Sequence, residues 1–269
     1  MSLRINSNVE ALNASRNLQR TTSAVSKSME RLSSGYRINR GADDAAGLGI
    51  SEAMRSQIRG LAAAQRNIQD GVSMVQTAEG NLGEVHSMLQ RIRELAVQYK
   101  NGSLSQAGRD AIQTEVNQLA SEIERLGQQA SFNGTSLLAG ATAVSFQIGA
   151  NDGQLVGIST ISLGSSLGTA YYSLTVAGTA DLSEIDAAIV QVSQIRGEFG
   201  AVQNRLEHAL SVSAVYQENL VSAESRIRDV DMAEEMVNLT KSQILQQAGT
   251  AMLAQANQAP QQVLQLLRG

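Results

Sequence analysis

The sequence predicts a mainly α fold: long antiparallel helical rods, packed in coiled-coil fashion, with a small β-hairpin insert. Three observations carry this expectation. Apolar residues recur every seven positions along two long stretches, 54–99 and 185–230. The 269 residues include one Pro, no Trp and three Phe, which suits long helices better than a core anchored on large aromatic rings. Between the two stretches, residues 131–180 hold eight Gly and almost no charge, and only there do apolar residues alternate as in a strand.

Taken in chain order, Ile5, Val9 and Leu12, and then Val25, Met29 and Leu32, repeat at helical spacing and predict an amphipathic helix over 1–33. The segment 34–53 follows, punctuated by Gly35, Gly41, Gly47 and Gly49, and reads as a linker. Met54, Leu61, Ile68, Val75, Leu82, Leu89 and Ala96 then fall seven apart. Three residues after each come Gln57, Ala64, Gly71, Ala78, Val85, Ile92 and Tyr99, a seam weakened only at Gln57 and Gly71. At about 1.5 Å per residue, 54–99 would span roughly 70 Å. KNGSLSQAG breaks the rod, and a shorter helix on Ile112, Val116, Leu119, Ile123 and Leu126 completes 54–130. In 131–180, Val144, Phe146 and Ile148 alternate and NDG offers a tight turn, which predicts hairpins. Helix resumes at DLSEIDAA, where Asp181 or Ser183 can cap and Glu184 sits in the first turn. Ile185, Val192, Phe199, Leu206, Ser213, Leu220 and Ile227 extend the second rod over 181–230, with Ser213 the polar intruder. A last helix in 231–269 carries Leu245, Ala248, Met252, Ala256, Ala259, Val263 and Leu266, and Pro260 is expected to kink or fray its final turns. Rods of matching length on either side of a turning region pack antiparallel and bring the chain ends together.

Composition excludes several function classes. Without Cys there is no disulfide, thiolate metal site or cysteine nucleophile. A net charge of −4 lacks the basic face of a nucleic-acid binder. The polar, periodic N-terminus is expected not to be a cleaved secretory signal, and no apolar stretch is long enough to span a membrane. Asp43 and Asp44 lie side by side, but no partners stand at metal-ligand or acid–base spacing, so capping of the long rod is their expected role. His86 and His208 are the only histidines and read as surface or rim positions. No catalytic motif, cofactor or metal is expected, which disfavours an enzyme on a helical scaffold.

The terminal helices point to partners instead. Residues 242–267 carry no Asp, Glu, Lys or Arg but eight Gln among Leu, Met and Ala. That many amides is expensive in hydrocarbon, which disfavours membrane insertion. Uncharged amides can pack on identical neighbours without like-charge repulsion, so self-assembly competes with an unstable tail as the reading. Glu224, Asp229, Asp231, Glu234 and Glu235 lie among Arg226 and Arg228, a solvated or salt-bridged joint before the last helix. In LQRIRELAVQ, Leu89, Ile92 and Ala96 face the seam, while Gln90, Arg91 and Glu94 point outward, with Arg91 and Glu94 spaced to pair.

Several stretches together resemble bacterial flagellin, the subunit of the flagellar filament. They are INSNVEALNASRNL, RLSSGYRINRGADDAAGLGISEAMRSQIRGL, NIQDGVSMVQTAEG, LQRIRELAVQ, GAVQNRLEH, AESRIRDVDMAEEM and AMLAQANQAPQQVLQLLRG, in order from both ends and over about two thirds of the chain. The resemblance implies a short form that lacks the variable outer domains. It implies that 1–33 and 231–269 form an inner coiled coil, with Leu245, Met252, Val263 and Leu266 in the polymer core. It makes 34–53 a spoke where Arg37, Arg40, Asp43 and Asp44 meet neighbouring subunits, and places Gly49 where the family commonly has Ala. It further implies export of the unfolded chain through the flagellar type III channel, with a chaperone on the C-terminal tail, and assembly at the filament tip under a cap protein, beyond a hook–filament junction protein. A junction protein shares the terminal motifs and is the rival identity. Finally, Gln90, Arg91, Leu95 and Glu115, beside Glu94, match the surface that the flagellin-sensing Toll-like receptor of animal hosts reads in the monomer.

Overall fold

The computed structural model of the chain describes residues 8–140, 142–167, 172, 174 and 181–268, with backbone alone at 165 and 259–268. The elements run α1 (Val9–Ser34), α2 (Ala45–Tyr99), α3 (Gln106–Gln129), β1 (Ser131–Phe132), β2 (Thr135–Ser136), β3 (Ala143–Gln147), β4 (Leu155–Ser159), α4 (Leu163–Leu167), α5 (Asp181–Arg228) and α6 (Met232–Arg268). The mainly helical architecture with a small antiparallel hairpin is the one the heptads and the Gly-rich insert predict. By internal contacts the chain forms two units: Met1–Ser56 with Leu220–Gly269, and Gln57–Asn219.

The second unit is built on a dry heptad core. Leu61, Ala64, Ile68, Val75, Ala78, Leu82, Val85, Leu89, Ile92 and Ala96 of α2 are all buried, as are Ile185, Ala188, Val192, Ile195, Phe199 and Leu206 of α5. The two helices run antiparallel: Arg93 pairs with Asp186 at 2.6 Å, Glu79 with Arg196 at 3.4 Å, and Gln65 donates to Gln217 at 2.8 Å. Ser105 caps α3 by accepting from the Gly108 amide, and α3 lays Ile112, Val116, Ala120 and Ile123 into the same core. Asn133 and Gly134 both have positive φ, 47° and 79°, as a two-residue hairpin turn between β1 and β2 requires. β3 and β4 pair antiparallel, and β4 buries Val156 and Ile158 while its alternate residues stay exposed.

The gap in the seam at Gly71 has a physical cause. A Cβ there would lie 3.3 Å from Leu206 Cδ1 and 3.4 Å from Phe146 of β3, so the missing side chain is the space into which the hairpin packs. Gly60 is the second landing point, where a Cβ would meet Ala150 at 3.0 Å. Asn67 donates to the Gln147 carbonyl between them. The periodicity shows a defect at Gly71, and the fold uses it.

The first unit is held by α1 against α6. Its seam follows the large apolar residues that predict the helices only in part, taking in Val25 and Leu32. On α1 it runs through Ala11, Ala14, Leu18, Thr21, Val25, Ser28 and Leu32, and on α6 through Glu235, Leu239, Ser242, Gln246, Gly249, Leu253 and Ala256, the three–four spacing of a coiled coil. Val9, Leu12 and Met29 stay exposed, as do Leu245 and Met252 of the expected α6 stripe. Small residues take the seam because they allow close approach: a Cβ on Gly249 would lie 3.3 Å from Leu18.

Three boundaries differ from expectation. α2 starts at Ala45, inside the expected linker, because Asp44 caps it by accepting from the Gly47 amide at 2.9 Å. The short α4 is unannounced by any periodicity in the insert. α6 continues through Pro260. Proline has no N–H to give the carbonyl four residues back, and that carbonyl, Ala256 O, is instead taken by the Asn8 side-chain amide at 2.7 Å.

Candidate functional site

The outward residues of LQRIRELAVQ do come together. The turn 100–105 folds α3 back along α2, so that Glu115 lies beside Arg91. Arg91 donates to Glu115 Oε1 through Nε at 3.1 Å and Nη2 at 2.9 Å, and to Glu94 Oε2 through Nη1 at 3.1 Å. Hydrogen bonds to Glu115 first, then to Glu94, hold the guanidinium pKa above its already high value, so the charge is permanent. All three side chains remain about half or more exposed, at 51%, 46% and 70%. Exposed pairs of this kind contribute about 0–1 kcal/mol. Their effect is to hold one cation in a defined pose on the surface. Gln90, one turn from His86, shares a hydrogen bond with its Nε2 at 3.0 Å. Leu95 is a correction: it is only 2% exposed and belongs to the core, because a helix seam wider than the strict a/d positions takes in its neighbour.

The charges of 34–53 are all engaged within the chain. Arg37 donates to the Ile227 carbonyl at 2.6 Å, and Arg40 pairs with Glu30 at 2.9 Å. Asp43 pairs with Lys27 at 2.7 Å and accepts from the Asn39 and Arg40 amides. Together these lower its pKa to about 2, the Lys27 hydrogen bond contributing most. Asp44 is the cap of α2. Gly47 leaves room for this cap, since a Cβ would fall 2.4 Å from the Asp44 carboxylate and 2.8 Å from buried Ile38.

The joint before α6 is more ordered than a solvated charge run. Tyr36 bridges Asp229 in antiparallel fashion, the Arg37 amide donates to Arg228 O, and the Val230 amide to Gly35 O. Arg228 lies over the Tyr36 ring at 4.9 Å and pairs with Glu52 at 2.6 Å. That hydrogen bond from Arg228 is the main cause of the lowered Glu52 pKa. Asp231 caps α6 through the Ala233 and Glu234 amides. Glu235, unexpectedly, is buried at 7% exposure, where it accepts from the Ser28 hydroxyl and faces Arg31 at 3.4 Å. No apolar pattern marks this pair: Ser28 and Glu235 fall on the three–four spacing of the α1 and α6 seams, which the structure reveals.

Of the tail residues, Leu245 is 51% and Met252 64% exposed, while the side chains of Val263 and Leu266 lie outside the described residues. Among the described residues no cluster of His, Cys, Asp or Glu could hold a metal, and no helix is long and apolar enough to cross a membrane. The arrangement offers surfaces rather than a reacting centre.

Comparison with known proteins gives these surfaces a context. Residues 5–143 match the family model described as the bacterial flagellin N-terminal helical region, and 182–267 match the C-terminal helical region. The chain is 50% identical to a flagellin of Halalkalibacterium halodurans, covering 98% of this chain and 99% of that one. It is 47% identical to a flagellin of Bacillus subtilis, over 99% of this chain and 100% of that one. Among solved structures, the crystal structure of Bacillus cereus flagellin is similar with a TM-score of 0.50 and 30% identity, covering 55% of this chain and 88% of that chain.

Proposed function

Because the chain belongs to the bacterial flagellin family, we propose that it is the structural subunit of an extracellular flagellar filament, polymerising with copies of itself to form the propeller for swimming. The observation that supports this reading most is the exposed apolar surface of α1 and α6. Val9, Leu12, Met29, Met236, Val237, Ile244, Leu245 and Met252 are each about half exposed or more. A two-helix seam in which Ala, Ser, Thr, Gln and Gly outnumber the large apolar residues leaves that surface wet, and helical polymerisation would cover it. A filament fits a heterologous contact that repeats without closing.

Export as an unfolded chain, with a chaperone on the C-terminal tail, follows the same reading. The chain has no disulfide to undo and one prolyl bond to isomerise, so unfolding for passage and refolding at the tip meet no slow covalent step. At the tip it would assemble beneath the cap protein, along a path that begins at the hook–filament junction protein. The Arg91–Glu94–Glu115 patch with Gln90 is the surface we assign to the flagellin-sensing Toll-like receptor. A pre-posed exposed arginine suits an interface anchor, with Leu95 supporting it from the core. Arg37, Arg40, Asp43 and Asp44 would then act at the subunit interface by holding the 35–44 segment in shape.

The test of the subunit reading is seeded growth. Purified protein added to filament seeds should elongate them, as seen by electron microscopy. A folded monomer that never adds to seeds which elongate with a known flagellin would overturn it. For the receptor surface, Arg91→Ala should reduce signalling by purified monomer, and unchanged signalling would remove that assignment.

A further inference from the structure

The chain has eight methionines and no cysteine, so its thioethers are its only readily oxidised sulfur groups. Met1 lies outside the described residues, Met54 is half-buried in α2, and the other six fall into two classes. Met74 is buried at 2% exposure, and Met88 packs partly buried against the core of Gln57–Asn219. Met29, Met232, Met236 and Met252 are exposed at 54%, 49%, 51% and 64%, and all four lie in the unit formed by α1 and α6. Three of them share one level of the helix pair. Ser28 meets Glu235 across the seam, Met29 adjoins Ser28, and Met232 and Met236 flank Glu235 one turn apart on the same face of α6. Met236 opens onto a shallow groove with Val237, Ile244 and Leu245, itself apolar and uncovered.

We infer that these four methionines form a peroxide-sensitive modification site that controls assembly: oxidation in the free subunit blocks docking of a second copy, and docking shields them from oxidation. This rests on the subunit reading above. In the step, the thioether sulfur gives an electron pair to one peroxide oxygen. An S–O bond forms, the O–O bond breaks, the sulfur is oxidised by two electrons, and hydrogen peroxide is reduced to water. Each sulfoxide turns a flexible apolar side chain into a polar, chiral one. On a face that a neighbouring copy must dehydrate, the new S–O dipoles have to be buried without partners, and association is lost. No buried core is touched, because Met74 is out of reach, so the unit Gln57–Asn219 stays folded. The change is reversible, since methionine sulfoxide reductases restore the thioether with one enzyme for each sulfur epimer.

The experiment treats full-length free subunits with dilute hydrogen peroxide, quenches, and follows two readouts. Peptide mass mapping is expected to find sulfoxide at Met29, Met232, Met236 and Met252 before Met74 and Met88, and oxidation at equal rates would overturn the inference. Seeded elongation is expected to be lost after treatment and regained after reduction by the two reductases. Treated subunits that elongate seeds as untreated ones do would overturn it. A variant with leucine at the four positions (M29L, M232L, M236L and M252L) keeps the apolar face and should elongate seeds before and after peroxide. Loss of elongation by that variant on treatment would place the sensitive group elsewhere and overturn the assignment. Untreated wild-type subunits that fail to elongate seeds would instead overturn the subunit reading, and this inference with it. Preformed filaments given the same peroxide should show the four sulfurs protected.

Discussion

The two units of the chain are helical, share α2 and α5, and are held together in different ways. Gln57–Asn219 has a dry core in which Ile68, Val75, Leu82, Val85, Leu89 and Ile92 of α2 are fully covered by α5, α3 and the hairpin. The unit containing α1 and α6 has no comparable core. Its seam is mostly small or polar, its only fully covered large apolar side chain among the described residues is Ile38 in the connecting segment, and Val9, Leu12, Met29, Ile244, Leu245 and Met252 of α1 and α6 face water. Burial at about 25 cal/mol per Å² of apolar surface dominates folding, so Gln57–Asn219 carries its own stability and the unit containing α1 and α6 leaves much of that term unused. What the contrast teaches is where the chain expects to be completed: by its own residues in one unit, by copies of itself in the other.

Removing the tail should separate the two most sharply. A chain ending at residue 241 loses the seam partners of α1 from Ser242 onward. It should fail to elongate seeds, while circular dichroism retains the cooperative melt of Gln57–Asn219. Loss of that melt would mean the units are not independently held.

Core truncation should come next. Leu82→Ala removes a fully buried side chain and should destabilise the chain by about 2–5 kcal/mol in denaturant melts. Leu253→Ala on the half-buried α6 seam should leave that same melt nearly unchanged and weaken assembly instead.

Two glycines near the start of α2 should respond in opposite directions. Gly47→Ala drives a methyl into the Asp44 carboxylate and Ile38, and overpacking of this kind costs about 1–3 kcal/mol. Gly49 meets nothing within 4 Å, so Gly49→Ala should stabilise the helix by about 1 kcal/mol through propensity alone. A thermal shift of the same sign for both would show that the Asp44 cap does not set the start of α2.

The smallest effect is electrostatic. Asp43 has its pKa lowered from 3.8 to about 2 by Lys27 and the Arg40 and Asn39 amides. A depressed folded-state pKa stabilises fully above the unfolded value and loses that contribution as pH falls through the folded one. The melting difference between wild type and Asp43→Asn should therefore be present at neutral pH and vanish as pH drops from about 4 through about 2. A difference that persists below that window would assign it to another group.

How much was legible follows the same division. In Gln57–Asn219, burial requires apolar residues to recur at fixed spacing, so the heptads of α2 and α5 read directly, as does the NDG turn between β3 and β4. The Gly71 gap could be seen but not understood, because its cause, Phe146, comes from a strand 75 residues on. Leu95 was misplaced because Arg91 and Glu94 beside it are outward, and one more step around the helix already reaches α3 and the core. In the α1–α6 pair most of the visible apolar stripe, Val9, Leu12, Met29, Leu245 and Met252, marks the surface a single chain leaves open. The seam it does use sets Leu18, Val25, Leu32, Leu239 and Leu253 among Ala, Ser, Gly and Gln, small and polar residues that no hydrophobic pattern highlights. The Asn8 bond to Ala256 O, which lets α6 pass Pro260, joins positions 248 apart and leaves no local trace.

The central claim is that α1 and α6 are completed by assembly. Amide hydrogen exchange, read peptide by peptide on monomer and on filament, tests it most directly. The account predicts that α1 and α6 exchange fast in the monomer and become protected in the filament, while 61–96 and 185–206 are protected in both. Protection of α1 and α6 in the monomer equal to that of α2 would contradict it.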